Sequence, residues 1–276
     1  MTNNDNTAPF RIVASDLDGT LLQPNHQLSD FTKQTLKQLH QAGYTFVFAT
    51  GRHHVDVAGI RELAGIPAYM ITSNGARVHD INDNLLFSHN VPESLVQGIV
   101  DVVKNESEIK IHIYQNDAWL TSKADEELKK FNESSGFSFE IFDVNNAPTN
   151  GISKIFFTHE SHDYLVQFEN IINERFAGQV NVAFSTPWCL EVMGAGVSKG
   201  EALEVVAKKL SHSLENCIAF GDGMNDVEML TMAGKGLVMG TSHEKVFKAL
   251  PNNEVIGANS EDAVAQYLKQ HLLNNQ

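Results

Sequence analysis

Short apolar, β-branched runs alternate along the chain with stretches whose apolar positions recur every three or four residues. The run Arg11-Ile12-Val13-Ala14-Ser15 predicts a buried strand that stops at Asp16-Leu17-Asp18-Gly19-Thr20, where Gly19 permits a sharp turn. Ser29 is placed as a helix N-cap, and Phe31, Thr35, Leu36, Leu39 and Ala42 then keep helical spacing up to Gly43. A second strand, Tyr44 to Ala49, leads into Thr50-Gly51-Arg52. After another helical stretch, Tyr69-Met70-Ile71-Thr72 predicts a third, ending at Ser73-Asn74-Gly75-Ala76. Strands separated by helices and ending in small or polar residues are the pattern of a parallel α/β sheet, in which ligands bind beyond the carboxyl ends of the strands.

The rhythm changes after Leu85. Lys110 to Tyr114, Ala118 to Thr121, Ser138 to Phe142, Ser153 to His159, Val180 to Thr186 and Cys189 to Met193 predict strands, with helices near Pro92–Asn105 and Ser161–Phe176. Many strands with few crossovers point to a mostly antiparallel sheet covered by helices on one face, a separate α+β unit. Gly194-Ala195-Gly196 marks a return hinge, and the parallel rhythm resumes. Lys199 opens a helix with Ala202, Leu203, Val206, Ala207 and Leu210 on one face, and Cys217 to Phe220 is a strand reaching Gly221-Asp222-Gly223. Helical spacing at Val227, Met229, Leu230 and Ala233, and again from Ala263 to Leu272, closes the chain. The expected fold class is therefore α/β, with a Rossmann-like parallel-sheet core in residues 1–84 and 194–276 and an inserted α+β domain in residues 85–193.

Charge and cysteine usage narrow the function. Against 20 Lys+Arg stand 34 Asp+Glu, a net charge of −14, which disfavours a nucleic-acid partner. Cys189 and Cys217 are too few for a disulfide framework and have no zinc-like clustering around them. No apolar run approaches the ~20 residues needed to span a bilayer, and the polar stretch Met1 to Pro9 lacks the features of a secretion signal. A cytoplasmic protein without a membrane partner is expected, with monomer as the default state.

The strand ends carry the chemistry. Asp16 and Asp18 lie two apart, so on an extended backbone their carboxylates leave the same side, separated by roughly 6–7 Å. Asp222 and Asp226 should converge on the same edge of the sheet. Such carboxylates repel one another unless a cation compensates, and hard oxygen donors point to Mg²⁺. The opposite polarity comes from the Thr50 hydroxyl with the neighbouring backbone N–H groups, and from Lys199 at a helix start. A phosphate bridging Mg²⁺, Lys199 and Thr50 balances the site, and the chemistry that follows is phosphoryl transfer.

In this order the motifs resemble the haloacid dehalogenase superfamily of phosphatases: Asp16 to Thr20, Thr50, Lys199 and Gly221-Asp222-Gly223-Met224-Asn225-Asp226 are similar to its first to fourth motifs. The large insert, together with Ser73 to Ala76, resembles the Cof-type subfamily with a C2 cap. One departure is Met193-Gly194-Ala195-Gly196, where many Cof-type members carry a Pro. The resemblance implies that Asp16 attacks phosphorus to form an aspartyl phosphate, and that Asp18 protonates the leaving group and then activates water. It implies Mg²⁺ held by the Asp16 carboxylate, the Asp18 backbone carbonyl and Asp222. The phosphoryl oxygens would be clamped by the Leu17 and Gly51 amides, Thr50, Lys199 and Asn225, while Asp226 orients Lys199 or waters on the metal. A narrower likeness at Phe48 to Val57, Tyr69 to His79 and Cys189 to Met193 implies pyridoxal phosphate or sugar phosphates as substrates.

Arg52, Asn74 and, more weakly, Glu191 are candidate substrate contacts, Arg52 against the alternative of a salt bridge to a core carboxylate. The 12 histidines, His53 and His54 among them, read as structural or solvated. Phe156, Phe157, Phe184 and Trp188 read as cap core, and Trp119 is left open between core and substrate. Competing functions are a phosphomutase, disfavoured by the position of the insert, and a phospho-acceptor or metabolite-binding regulator, for which Asp18 would have no purpose.

Overall fold

The computed structural model describes residues 10–124, 126, 128 and 137–273. Its strands, in chain order, are β1 (Ile12–Ser15), β2 (Thr45–Ala49), β3 (Ala68–Thr72), β4 (Arg77–His79), β5 (Leu85–Ser88), β6 (Lys110–Gln115), β7 (Ala118–Thr121), β8 (Phe139–Ile141), β9 (Ile152–Thr158), β10 (Val180–Thr186), β11 (Cys189–Gly194), β12 (Cys217–Gly221), β13 (Lys235–Met239) and β14 (Glu254–Ile256). They form an eight-stranded sheet of order β14-β13-β12-β1-β2-β3-β4-β5 and a six-stranded sheet of order β10-β11-β9-β6-β7-β8.

In the first sheet β1 pairs in parallel with both β2 and β12. The chain therefore leaves β1 toward one side early and returns to its other side late, the strand-order reversal at which α/β sheets place their sites. Both faces are covered. Val13 joins a core with Leu36 and Leu39 of the helix Asp30–Gln41 and with Tyr267 and Leu268. Ile12 and Ala14, pointing the other way, join Leu203 and Val206 of the helix Lys199–Lys209 and Met229. The first helix starts where the Ser29 hydroxyl accepts the Thr32 N–H (2.9 Å).

The second sheet is antiparallel except for β7 and β8. Ile111, Ile113, Phe157, Leu190 and Val192 on one face pack against the helices Glu93–Val103 and His162–Arg175 through Ile99, Val103, Phe168 and Ile172.

Several expectations are corrected. The hairpin β4–β5 adds antiparallel to the edge of the first sheet. The change of sheet thus comes after Ser88, not at Leu85, and the second sheet runs through Gly194. Strands β13 and β14 gave no readable period, because they are short and one carries a glycine. Phe156 and Phe157 are buried, but Trp188 is 57% exposed and belongs to no core. Trp119 is buried with Phe137 and Phe156. Among the described residues no helix is long and apolar enough to cross a membrane.

The sheets meet where helix His54–Ala64 starts beneath the turn between β6 and β7. His53 Nδ1 accepts the Val55 N–H (3.2 Å), so its Nε2 carries the proton and donates to the Asn116 carbonyl (2.8 Å). Its ring stacks on Phe137, and that of His54 on His79. Burial, reinforced by His54, pushes the His53 pKa down to about 3. The same causes push His79 down to about 4. An unfolded histidine titrates near ~6.5, so the contribution of these neutral rings is complete above that pH and is lost as pH falls toward 4 and 3. The contribution of each histidine should therefore be constant above neutrality and fall in acid by up to about 1.4 kcal/mol per pH unit. The raised Asp16 and Asp222 give the opposite slope, so the comparison of wild type with a histidine variant isolates it. Thermal denaturation across that range checks this. His53→Asn, which preserves a helix cap, should give a shallower acid slope, and an unchanged slope contradicts it.

Candidate active site

At the carboxyl edge of the first sheet, the end of β1, the end of β2, the end of β12 and the start of helix Lys199–Lys209 converge. Ser198 caps that helix through the Glu201 N–H (3.1 Å), which sets Lys199 as its first residue. Lys199 is wholly buried, and its Nζ donates to Asp16 Oδ1 (2.6 Å) and to Asp226 Oδ1 (2.6 Å). Asp226 Oδ2 accepts the Asp222 and Gly223 N–H groups (3.0 and 2.9 Å). Asp222 Oδ1 accepts the Thr20 hydroxyl (2.7 Å). Gly19, at φ +79°, lets the β1 turn lie against Asp222, since a Cβ there would run into that carboxylate.

Oxygens of Asp16, Asp222 and Asp226 lie within 4.8 Å of one another. Burial is the main cause that raises Asp16 well above the ordinary carboxylate range, with Lys199 opposing and Asp226, Asp222 and Asp18 adding to it. Burial and then Asp226 push Asp222 up to about 6. For Lys199 burial works downward, but Asp16 and Asp226 outweigh it, so its pKa is raised and it stays an ammonium. One ammonium therefore faces a crowded set of acids. Asp226 engages both its oxygens, whereas Asp16 Oδ2 and Asp222 Oδ2 take no hydrogen bond from the described residues. Two free, hard oxygens in a pocket of excess negative charge fit a divalent cation such as Mg²⁺.

Next to these acids lie donors. Leu17 N–H is buried and, like Gly51 N–H, finds no acceptor among the described residues. A buried backbone donor is seldom left so, and the buried Leu17 amide beside Asp16 together with the half-buried Gly51 amide beside Thr50 suits an anion. Thr50 is buried beside them, its hydroxyl accepting the Arg52 N–H (3.1 Å) and its carbonyl the Asn74 N–H (3.1 Å). At Gly51 a Cβ would stand 2.9 Å from Asn74 Oδ1, so the close approach requires glycine. Asn225 donates to Asn74 Oδ1 (3.0 Å).

Asp18 has partners of its own. The strand ends at Ser15, and Leu17–Leu21 form a wide helical turn with extended angles at Asp18. Asp16 and Asp18 both keep extended angles on either side of Leu17, and their carboxylates take different partners. Asp18 is gripped by Arg52, Nε on Oδ2 (2.6 Å) and Nη2 on Oδ1 (2.6 Å), and by His26 Nδ1 (2.9 Å). Burial works to raise Asp18, but the hydrogen bonds from Arg52 and His26 prevail and hold it far below the usual carboxylate range. Its side chain lies outside the acidic group, which leaves only its backbone carbonyl, the atom the resemblance assigned, for a metal.

Arg52 also reaches Asp56 (2.9 Å), so here it makes the salt bridges that were the alternative to substrate contact. Asn74 donates to Glu191 Oε2, and Glu191 in turn accepts from Lys154 (2.7 Å). Sequence reasoning missed His26, which sits at φ +60° in an exposed turn outside any motif, and Lys154. The signal for Lys154 was a lone charge inside the apolar run Ile152 to Phe157.

Residues 13–268 match the model of the haloacid dehalogenase-like hydrolase family. The chain belongs to this family. A Haemophilus influenzae protein that carries a provisional phosphatase name is 42% identical over 262 residues, covering 95% of this chain and 96% of that one. The HMP-PP phosphatase of Yersinia pseudotuberculosis is 38% identical over 263 residues, covering 95% and 96%. The solved structure of a haloacid dehalogenase-like hydrolase from B. subtilis is 27% identical, covers 96% of this chain and 100% of its own, and superposes with a TM-score of 0.81. This hydrolase therefore has the family's α/β fold with a cap, and it is a phosphoric monoester hydrolase.

Proposed function

We propose that this hydrolase is a Mg²⁺-dependent phosphatase of small phosphorylated metabolites, pyridoxal phosphate or sugar phosphates, acting through an aspartyl phosphate on Asp16. The observation that carries the reading is the placement of Asp16 on Lys199 within reach of Asp222, beside the free Leu17 and Gly51 amides. The name of the Yersinia relative adds HMP-PP to the substrates worth testing. In this reading residues 1–88 and 195–276 are the catalytic core and residues 89–194 the specificity cap, the expected bounds of 85 and 193 being shifted so that β5 stays with the first sheet and β11 with the second.

The steps follow from the residues. An Asp16 carboxylate oxygen attacks phosphorus while the P–O bond to the leaving group breaks, and Asp18 gives that oxygen its proton. Water then attacks the acyl phosphate, Asp18 takes its proton, and the bond to Asp16 breaks to release phosphate. Leu17, Gly51, Thr50, Lys199 and Asn225 hold the phosphoryl oxygens, and Asp226 fixes Lys199 and the Asp222 turn. Asp16, Asp222 and the Asp18 carbonyl would hold Mg²⁺, which when bound offsets the charge on the phosphoryl oxygens. The Arg52 grip favours the ionised Asp18 that the second step uses; the first step needs its acid form, so Arg52 has to release Asp18 as substrate enters.

The test is phosphate release across phosphorylated sugars, pyridoxal phosphate and HMP-PP, ranked by kcat/KM, with and without chelation. Removing divalent cations with EDTA should lower turnover on the order of 10²–10³-fold, and added Mg²⁺ should restore it. Undiminished turnover in EDTA contradicts the proposal.

A further inference from the structure

The face of the six-stranded sheet opposite its helices carries a buried ion pair that the chemistry above does not use. Strand alternation puts Lys154 and Phe156 of β9 beside Glu191 and Met193 of β11, while Ile155, Phe157, Leu190 and Val192 turn to the helices. Lys154 and Glu191 have side chains only 3% and 4% exposed and meet at 2.7 Å. Taking both charges out of water is costly, and apolar residues would serve packing alone at least as well.

The partners of the pair lie in the other sheet's site. Lys154 Nζ donates to the Gly51 carbonyl (2.6 Å), flanked by the Tyr114 and Phe156 rings at 5.0 and 4.8 Å. Glu191 Oε2 accepts from Asn74, whose Oδ1 accepts from Asn225 (3.0 Å), the residue before the Asp226 that holds Lys199. A continuous hydrogen-bonded path thus joins one strand face of the cap to two parts of the phosphate cradle. The Gly51 carbonyl is held by Lys154, and the neighbouring Thr50 and Arg52 carbonyls by Asn74 and Ser73 N–H groups. The ammonium from the cap therefore completes the fixing of this turn.

We infer that Lys154, paired with Glu191, is a positioning residue: it sets the Thr50–Gly51 turn for the phosphoryl group, so that seating of the cap sheet assembles the cradle. This rests on the reading that the turn binds phosphate. A leaving-group contact would matter only for substrates large enough to reach Lys154, whereas positioning acts on the phosphoryl group whatever it is attached to.

Two variants test it. Lys154→Gln retains a donor for Glu191 but is too short for the Gly51 carbonyl. Lys154→Met with Glu191→Gln removes both charges at nearly constant volume. Affinity for inorganic phosphate with Mg²⁺, by titration calorimetry, and kcat on acetyl phosphate, a minimal substrate, should each fall about tenfold or more per folded molecule. Loss confined to bulky substrates, wild-type phosphate affinity in a folded variant, or failure of both variants to fold would each overturn the inference. A wild-type protein that neither binds phosphate nor hydrolyses acetyl phosphate would sink the phosphatase reading itself, a separate outcome.

Discussion

Asp16→Asn is expected to reduce phosphate release on the order of 10⁵-fold, because it removes the nucleophile rather than one of several supports. The loss should come without unfolding. Burial and the neighbouring acids already disfavour the charged form of Asp16, so an uncharged amide of the same size relieves repulsion while giving up part of the Lys199 contact. Phosphate release and the circular dichroism melt, measured on the same preparation, separate the two effects. Residual activity within tenfold of wild type would place the nucleophile elsewhere.

Lys199→Met should damage both activity and stability. The side chain is wholly buried between Asp16 and Asp226, and deleting it leaves acids without their counter-charge. Breaking a buried pair in this way costs about 3–5 kcal/mol, a drop on the order of 10 °C in Tm for a chain of this size. The raised pKa of Lys199 shows the sign: the ammonium contributes throughout the range in which the protein is handled and is lost only in strong alkali. Adding Asp226→Asn should recover part of the stability and none of the activity, because the excess charge is reduced while the phosphate partner stays missing. A single variant that melts with the wild type would remove Lys199 from its assigned place.

Much of the site was legible because each motif falls where an element begins or ends. Asp16 follows an apolar β-branched run, Thr50 follows another, Lys199 comes after a capping serine, and Asp222 follows a glycine-ended strand, so a parallel sheet had to gather them at one edge. Local detail within a turn was not legible. The turn at Leu17–Leu21 brings the Asp18 carboxylate to Arg52 and His26, and no spacing rule announces those partners. Contacts between residues far apart in sequence were equally hidden: the particular carboxylate that Arg52 takes, Asp18, lies 34 positions away within the first sheet's loops, and Lys154 of the second sheet reaches Gly51 across 103. Glu191 was singled out as a weak substrate contact, yet its partners in the structure are Lys154 and Asn74. The hairpin β4–β5 lacked the crossover helix that marks a parallel strand, so its membership in the first sheet had no signal.

The central claim is that phosphorus passes through Asp16. With acetyl phosphate, whose acetate leaving group needs no proton from Asp18, an Asp18→Asn variant should still form the acyl phosphate but hydrolyse it slowly, because water loses its proton acceptor. Acid quench of this variant during turnover, followed by borohydride reduction and peptide mapping, measures where the phosphoryl group rests. The account predicts reductive labelling at Asp16, dependent on Mg²⁺ and absent in Asp16→Asn. Label at Asp222 or Asp226, or steady turnover with no labelled peptide, would contradict it.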